Sequence, residues 1–290
     1  MKVKLSRKLH LAFLVGRRKS DQIWSLCELI QKETGSDIVN ENQSDVPQFS
    51  RPFGNKLVEF AQINPGNTIL DIGIGNGTAT FFPAVEKVGR TGMVIGIDIS
   101  KDMVKCTYDK IIDCNIRNAK VMQTDAKSLI FKDNTFDVVL SGFSYLCCPF
   151  EELMRVLKEG GQFGLTSWET LEDMEWMASF LRKYIPVTVQ DVCYCDIKEG
   201  LENLLDTAGF KNITVSSRKE EFVYTNEEQW WEEMQESWHS YLEEMEMKGL
   251  STLKEFKKEV FEELQIHKYR DGLHCSVSAL IALCTKGSSQ

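Results

Sequence analysis

No stretch of the sequence approaches the ~18 consecutive apolar residues of a membrane span, so no spanning helix is expected. No Cys-x-x-Cys spacing occurs either, although nine cysteines are present. The nearest approaches, Cys147-Cys148 and Cys193-Tyr194-Cys195, do not have zinc-ligand spacing, and no metal is expected. An odd count without a paired framework argues for reduced thiols and a cytoplasmic setting. Internal repeats and low-complexity runs are missing. So is any excess of positive charge: the net charge is −9, which disfavours a nucleic-acid partner. One segment lacks the opposite sign. Residues 1–20 hold Lys2, Lys4, Arg7, Lys8, Arg17, Arg18 and Lys19 and no acid. Their apolar centre, Leu9 to Val15, is short for a secretory signal. A mitochondrial transit segment, a membrane-surface contact and a solvated basic arm remain open.

What is present is ordinary for a globular chain of 290 residues: 42% hydrophobic and 27% charged. Ile23, Trp24, Cys27, Leu29 and Ile30 recur at near-helical spacing, predicting a cap helix within an N-terminal unit, residues 1–48. Gly35 to Pro47 reads as a loop. Phe49, Phe53, Leu57, Val58 and Phe60 predict a short helix leading into the turn Asn64-Pro65-Gly66-Asn67. Strands are then expected at 68–72, 93–98, 119–124, 135–142 and 162–168. Helices are expected between them at 78–88, 101–114 and 150–157. This alternation predicts an α/β, doubly wound, mostly parallel seven-stranded sheet. Beyond Glu169 a helix is expected at 174–184 and another at 198–208, then an extended stretch from Ile213 to Tyr224.

Two acidic helices follow. Thr225 and Glu228 have capping-box spacing, and Trp230, Met234, Trp238, Tyr241 and Met245 mark one apolar stripe. Thr252 and Glu255 open the second helix. Asp271-Gly272 is a turn before a last apolar strand, Leu273 to Thr285. Residues 225–270 thus read as a helical insertion, part of a substrate lid, before the final strand of a domain spanning 49–290.

Glycine is placed with equal regularity. Asp71-Ile72-Gly73-Ile74-Gly75-Asn76-Gly77 joins the first strand to the first helix of the sheet. The dinucleotide fingerprint G-x-G-x-x-G is not completed in either register, because Thr78, Ala79 and Thr80 follow Gly77. No Gly-Lys-Ser/Thr of a Walker loop is present. In an open parallel sheet, ligands bind beyond the carboxyl ends of the strands. Those ends carry Asp71, Asp98, Asp125 with Ala126, and Ser141 with Gly142 and Phe143. A carboxylate after the second strand can accept both hydroxyls of a ribose.

In order, Asp71 to Gly77, Gly96-Ile-Asp98-Ile-Ser100, Asp125-Ala126, Phe136-Asp-Val-Val-Leu140 and Leu157-Lys-Glu-Gly-Gly161 resemble the landmarks of the class I S-adenosylmethionine-dependent methyltransferases. Within these, the series is most similar to the small-molecule group related to the ubiquinone/menaquinone biosynthesis methyltransferases. The resemblance covers about residues 50–168. It implies a Rossmann-like fold, S-adenosylmethionine as cofactor and S-adenosylhomocysteine as product. It implies that Gly73, Gly75, Asn76 and Gly77 form the loop under the methionine part, that Asp71 orders that loop, that Asp98 holds the ribose and that Ile99 covers a ring face. Asp125 would take the adenine amine, with Ala126 leaving room for the ring. Ser141 and Phe143 would border the methyl group.

The acceptor is expected to be a small apolar or aromatic metabolite, methylated on N, O or C. Its expected contacts are Phe49, Phe53, Tyr145, Trp168, Trp176 and Trp230, because organic ligands are lined mainly by apolar and aromatic side chains. For Trp230 the competing reading is core. A base, needed only for a hydroxyl acceptor, has three candidates, His239, His274 and Tyr145, and none is assigned. Protein or RNA methylation, a non-catalytic binding role and aminopropyl transfer are the alternative readings.

Overall fold

A computed structural model of the chain describes residues 49–144, 149–169, 176, 179–180, 183–184, 197–237 and 239–287. The N-terminal unit 1–48, Tyr145 and Trp238 lie outside the described residues.

The chain enters through helix α1 (Ser50–Phe60) and alternates β1 (Thr68–Ile72), α2 (Phe81–Val88), β2 (Met93–Asp98), α3 (Lys101–Asp113), β3 (Ala119–Gln123) and β4 (Phe136–Gly142). Helix α4 (Phe150–Val156) runs directly into β5 (Leu157–Trp168). Then come α5 (Lys198–Thr207), β6 (Phe210–Tyr224), α6 (Glu227–Ser237), α7 (His239–Lys248) and α8 (Leu250–Leu264). A two-residue strand β7 (Lys268–Tyr269) and β8 (Gly272–Lys286) close the fold. The strand order is β3-β2-β1-β4-β5-β8-β6, with β7 attached to β8. Strands β1 to β5 are mutually parallel, and β8 runs antiparallel to both β5 and β6. The seven-stranded expectation gains the short β7 as an eighth member. Among the described residues, no helix is long and apolar enough to cross a membrane.

The central strands are buried on both faces, which is why they read as unbroken apolar runs. Leu57, Phe81, Ala84, Val88 and Ile111 bring α1, α2 and α3 onto one face. Leu153, Val156, Leu201 and Leu205 bring α4 and α5 onto the other. Lys87 joins two of these helices: its ammonium donates to the carbonyls of Val58, Glu59 and Ala61 at the end of α1, at 2.6, 2.8 and 2.8 Å.

Three local expectations shift. Helix α2 begins at Phe81, because Thr78 to Thr80 complete the glycine turn. The fifth strand begins at Leu157, and its pairing with β4 slips between Phe136 and Val138, next to Gly160 at φ 71°. The insertion's cap is Asn226, whose Oδ1 accepts the Gln229 N–H at 2.9 Å, while Gln229 Oε1 accepts the Thr225 N–H. The cap therefore lies one residue later than Thr225 and Glu228 suggested, with the return bond to the residue before it.

Beyond Trp168, which pairs with Ala279, β6 and β8 continue together as a two-stranded ribbon. Its odd-numbered β8 residues, Leu273, Cys275, Val277 and Ala279, face the aromatic clusters. The helices α6 to α8 build a core of their own on that face from Trp230, Trp231, Met234, Met245, Phe256, Val260 and Leu264.

Candidate functional site

The site starts from the turn after β1. Gly73, Gly75 and Gly77 have φ of 71°, 52° and 82°, the left-handed region in which a Cβ is disfavoured. At Gly73 a Cβ would also overlap the Ser144 side chain, so the bare backbone there lets the segment after β4 close over the turn. Gly77 serves packing instead, since a Cβ there would meet the Phe82 ring at 2.6 Å. The Gly73 and Ile74 N–H groups both donate to Ile97 O, at 2.8 and 3.2 Å, tying the turn to the end of β2. Thr107 donates to the Gly75 carbonyl at 2.8 Å.

Two carboxylates flank this turn and differ in kind. Asp98 is half-buried and preorganised by backbone donors: Oδ2 accepts the Gly75 N–H and Oδ1 the Ser100 N–H, each at 2.9 Å. Asp71 is fully buried at the end of β1. Its Oδ2 accepts the Thr80 hydroxyl at 2.6 Å, and its Oδ1 has no hydrogen-bond partner among the described residues. Burial pushes the Asp71 carboxyl up to about 7; the Thr80 hydrogen bond opposes this and the nearby Asp98 adds to it.

The other sequence-selected residues divide between cleft and scaffold. Ile99 is 70% exposed beside Asp98, a large apolar side chain left uncovered at a strand end. Asp125 is exposed and caps its own loop through the Lys127 N–H at 2.9 Å, with Ala126 buried beneath. That loop is held from behind, because Arg155 donates to the Leu129 and Phe131 carbonyls and Glu152 accepts the Leu129 N–H. The Asn76 side chain turns inward, its Oδ1 accepting both the N–H and the hydroxyl of Thr78. Ser141 is fully buried and donates to Ile72 O at 3.4 Å, bridging β4 to β1. Asn76, Gly77 and Ser141 thus hold the turn and the sheet together.

Phe143 carries the site onward. It has φ 60°, a strained conformation for an aromatic residue, fixed by its N–H bond to Thr166 Oγ1 at 3.0 Å. Its ring stacks on Trp168 at 3.8 Å and 19°. Phe53 meets both rings edge-on at 6.2 Å, and Phe49 lies 5.2 Å from Trp168. Four expected aromatic residues therefore form one wall beginning beside the glycine turn.

Trp176 and Trp230 sit farther out. Trp230 is 1% exposed and belongs to the insertion core, with Trp176 stacked on it at 6.1 Å and on His267 at 5.6 Å. His274 lies on the ribbon face opposite the aromatic wall, since it has the even parity of β8. Its two ring nitrogens lie 3.2 and 3.0 Å from Glu221 and Asp271. Those carboxylates raise its pKa and occupy both nitrogens, so it does not face the cleft. His239 begins α7, and its side chain, like all of Tyr145, lies outside the described residues.

Sequence reasoning missed Thr80, Thr107 and Ser144. A hydroxyl nine residues after Asp71 is a usable signal for Thr80.

The residues fit the methyl donor that the resemblance implies. A buried carboxylate oxygen without a partner, a carboxylate at the second strand end, an exposed apolar side chain beside it and a bare turn are what a cationic nucleoside with a charged tail requires. Asp71, Asp98, Ile99 and Gly73 supply these in turn. Among the described residues no cluster of histidine, cysteine and acid could hold a metal ion.

Residues 69–161 match the family described as methyltransferase domain. The aklanonic acid methyltransferase DauC of Streptomyces sp. strain C5 is 34% identical over 125 residues, 41% of this chain and 56% of that protein. The ubiquinone/menaquinone biosynthesis C-methyltransferase UbiE of Hydrogenovibrio crunogenus is 37% identical over 134 residues, 43% of this chain and 51% of that protein. The chain spans about half the length of these curated relatives. The YcgJ protein of Bacillus subtilis superposes with a TM-score of 0.56 at 18% identity, over 82% of this chain and all of that one. The [4+2]-cyclase SpnF superposes with a TM-score of 0.53 at 20% identity, over 90% and 92% of the two chains. These superpositions establish the fold, which by itself hosts more than one chemistry. The sequence matches, for their part, mark residues 69–161 as a methyltransferase domain, similar to those of small-molecule methyltransferases.

Proposed function

We propose that the chain transfers a methyl group from S-adenosylmethionine to a small apolar or aromatic metabolite. The observation that carries this reading is the junction at Gly73. There the segment after β4 closes over the donor turn, and Phe143, stacked on Trp168, opens an aromatic wall directly beside it. When bound, the donor supplies a methyl group already activated by its sulfonium.

The protein's task is then positional. Gly73 and Gly75 would carry the methionine part on bare backbone, Asp71 would meet its charged tail, and Asp98 would hold the ribose. Ile99, Ala126 and Asp125 would enclose the adenine. Phe143, Trp168, Phe53 and Phe49 would hold the acceptor and exclude water. Alignment of this kind supplies roughly 7–11 kcal/mol in favourable cases. Asp71 would give up its proton as the charged tail binds, and the alignment itself needs no general base from the sheet or turn.

Calorimetry with S-adenosylmethionine and S-adenosylhomocysteine tests the donor assignment. We expect both to bind and Asp98→Ala to weaken binding at least tenfold. No binding by the wild type, or equal binding by the variant, refutes it. Incubation with isotopically labelled donor and a cell metabolite extract, read by mass spectrometry, then identifies the acceptor. A labelled protein or RNA fraction with no labelled small molecule would overturn the acceptor class.

A further inference from the structure

Most of the molecule's net negative charge sits on the insertion helices. Residues 225–264 hold twelve glutamates and four lysines, in a chain of net charge −9. Several of these glutamates are matched: Glu228 by Lys257 at 2.7 Å, Glu227 by Lys268 at 2.7 Å, Glu259 by Lys183 at 2.6 Å and Glu262 by Lys258 at 3.7 Å. Glu233 is different. Its Oε1 accepts the Phe49 N–H at 2.8 Å, and the Tyr224 hydroxyl donates to the same carboxylate. Among the described residues it has no cationic partner.

Two titratable groups on which its charge acts are neutral. Burial, reinforced by the Glu233 charge, drives the Tyr224 phenol far above its ordinary range. Burial and the same charge push the Cys275 thiol up to about 12. Glu233 therefore presents a negative charge that its neighbours do not offset. It is held by two fixed donors rather than waving in solvent, and aromatic residues neighbour it. Trp230 precedes it by three residues on the same helix and bonds to Cys275, Phe49 is hydrogen-bonded to it, and Trp168 lies against Phe49. Aromatic faces beside a carboxylate favour a cation, through ring quadrupoles and charge together. A neutral ligand covering the carboxylate would desolvate it without compensation.

We infer that Glu233 anchors a cation: the acceptor is a small molecule with an ammonium group, held at Glu233 beside Phe49 and Trp168. The assignment of this molecule as methyl acceptor rests on the proposed function above; the cation site does not. A protonated amine has no free electron pair, so the anchored group is not the nucleophile. The reacting atom lies at the other end, past Trp168 toward Phe143 and the glycine turn. The acidic insertion would also gather such cations by long-range attraction.

Two probes of nearly the same shape test this, phenethylamine and 2-phenylethanol, titrated at neutral pH and followed by tryptophan fluorescence. We expect the wild type to bind the amine about tenfold more tightly, with the preference shrinking as salt is raised. Glu233→Gln keeps an acceptor for the Phe49 N–H and offers its NH2 as a donor to the Tyr224 hydroxyl oxygen, and should reduce the preference to within about twofold. Equal affinity of the two probes for the wild type overturns the inference, and this comparison needs no variant to fold. An unchanged preference in Glu233→Gln at unchanged melting temperature overturns it as well. S-adenosylhomocysteine calorimetry on the same wild-type sample separates the two readings. Amine preference without nucleoside binding would sustain the cation anchor and remove the methyl-transfer assignment.

Discussion

Asp71 offers the sharpest quantitative test, because its burial makes the stability of the fold pH-sensitive. The carboxyl is fully buried, and its pKa is raised from 3.8 to about 7. Between those values the folded protein retains a proton that the unfolded chain has released. Stability therefore falls as pH rises through this window and levels off above the folded pKa. At 1.36 kcal/mol per unit, the loss on going from about pH 5 to about pH 8 is on the order of 3 kcal/mol. Asp71→Asn keeps an acceptor for the Thr80 hydroxyl and removes the titration. Urea unfolding of both proteins across this range isolates the effect, because every other titrating group is common to both. The variant should gain on the wild type by ~3 kcal/mol as pH rises. A stability difference that does not vary with pH would refute the argument. With nucleoside present the sign reverses for binding: a cationic tail beside Asp71 favours the ionised form, so wild-type affinity should fall below about pH 7, with proton uptake on release.

Two further substitutions read different parts of the structure. Gly73→Ala places a Cβ against Ser144 at φ 71°; we expect S-adenosylhomocysteine binding to be lost by calorimetry, with stability lowered by about 1–2 kcal/mol. His267 Nε2 is buried without a partner among the described residues; His267→Phe should raise stability by about 1–3 kcal/mol in urea unfolding, and a destabilised variant would show that the nitrogen is satisfied in solution.

The sheet was legible because its strands are buried on both faces and therefore written as apolar runs. The turn was legible because three backbone positions require glycine, and glycine is visible in a sequence. Side-chain direction was not. Asn76 and Ser141 stand where a ligand would pass, yet both turn toward the scaffold, and only the local rotamer and the neighbouring donors decide that. His274 and Cys275 are adjacent on β8 and face opposite sides of the ribbon. Choosing between them requires knowing which face the insertion covers. Thr225 and Asn226 are both good caps, and the difference of one residue rests on how the chain leaves β6. Trp230 and Trp231 are both buried, although a single helical stripe accounts for only one of them, because α7 and α8 enclose α6 from a second side.

The ribbon has a consequence for how such a molecule can change. Tyr224 and Leu273 are cross-strand partners, so the chain departs for the three insertion helices and returns at a single point. An excursion with adjacent ends can be lengthened, shortened or replaced at little entropic cost. The donor turn follows β1, a different strand at the same edge of the sheet, and takes no part in that closure. Acceptor preference can therefore drift in evolution, or be exchanged by grafting between relatives, as a cassette on a fixed methyl-donating chassis.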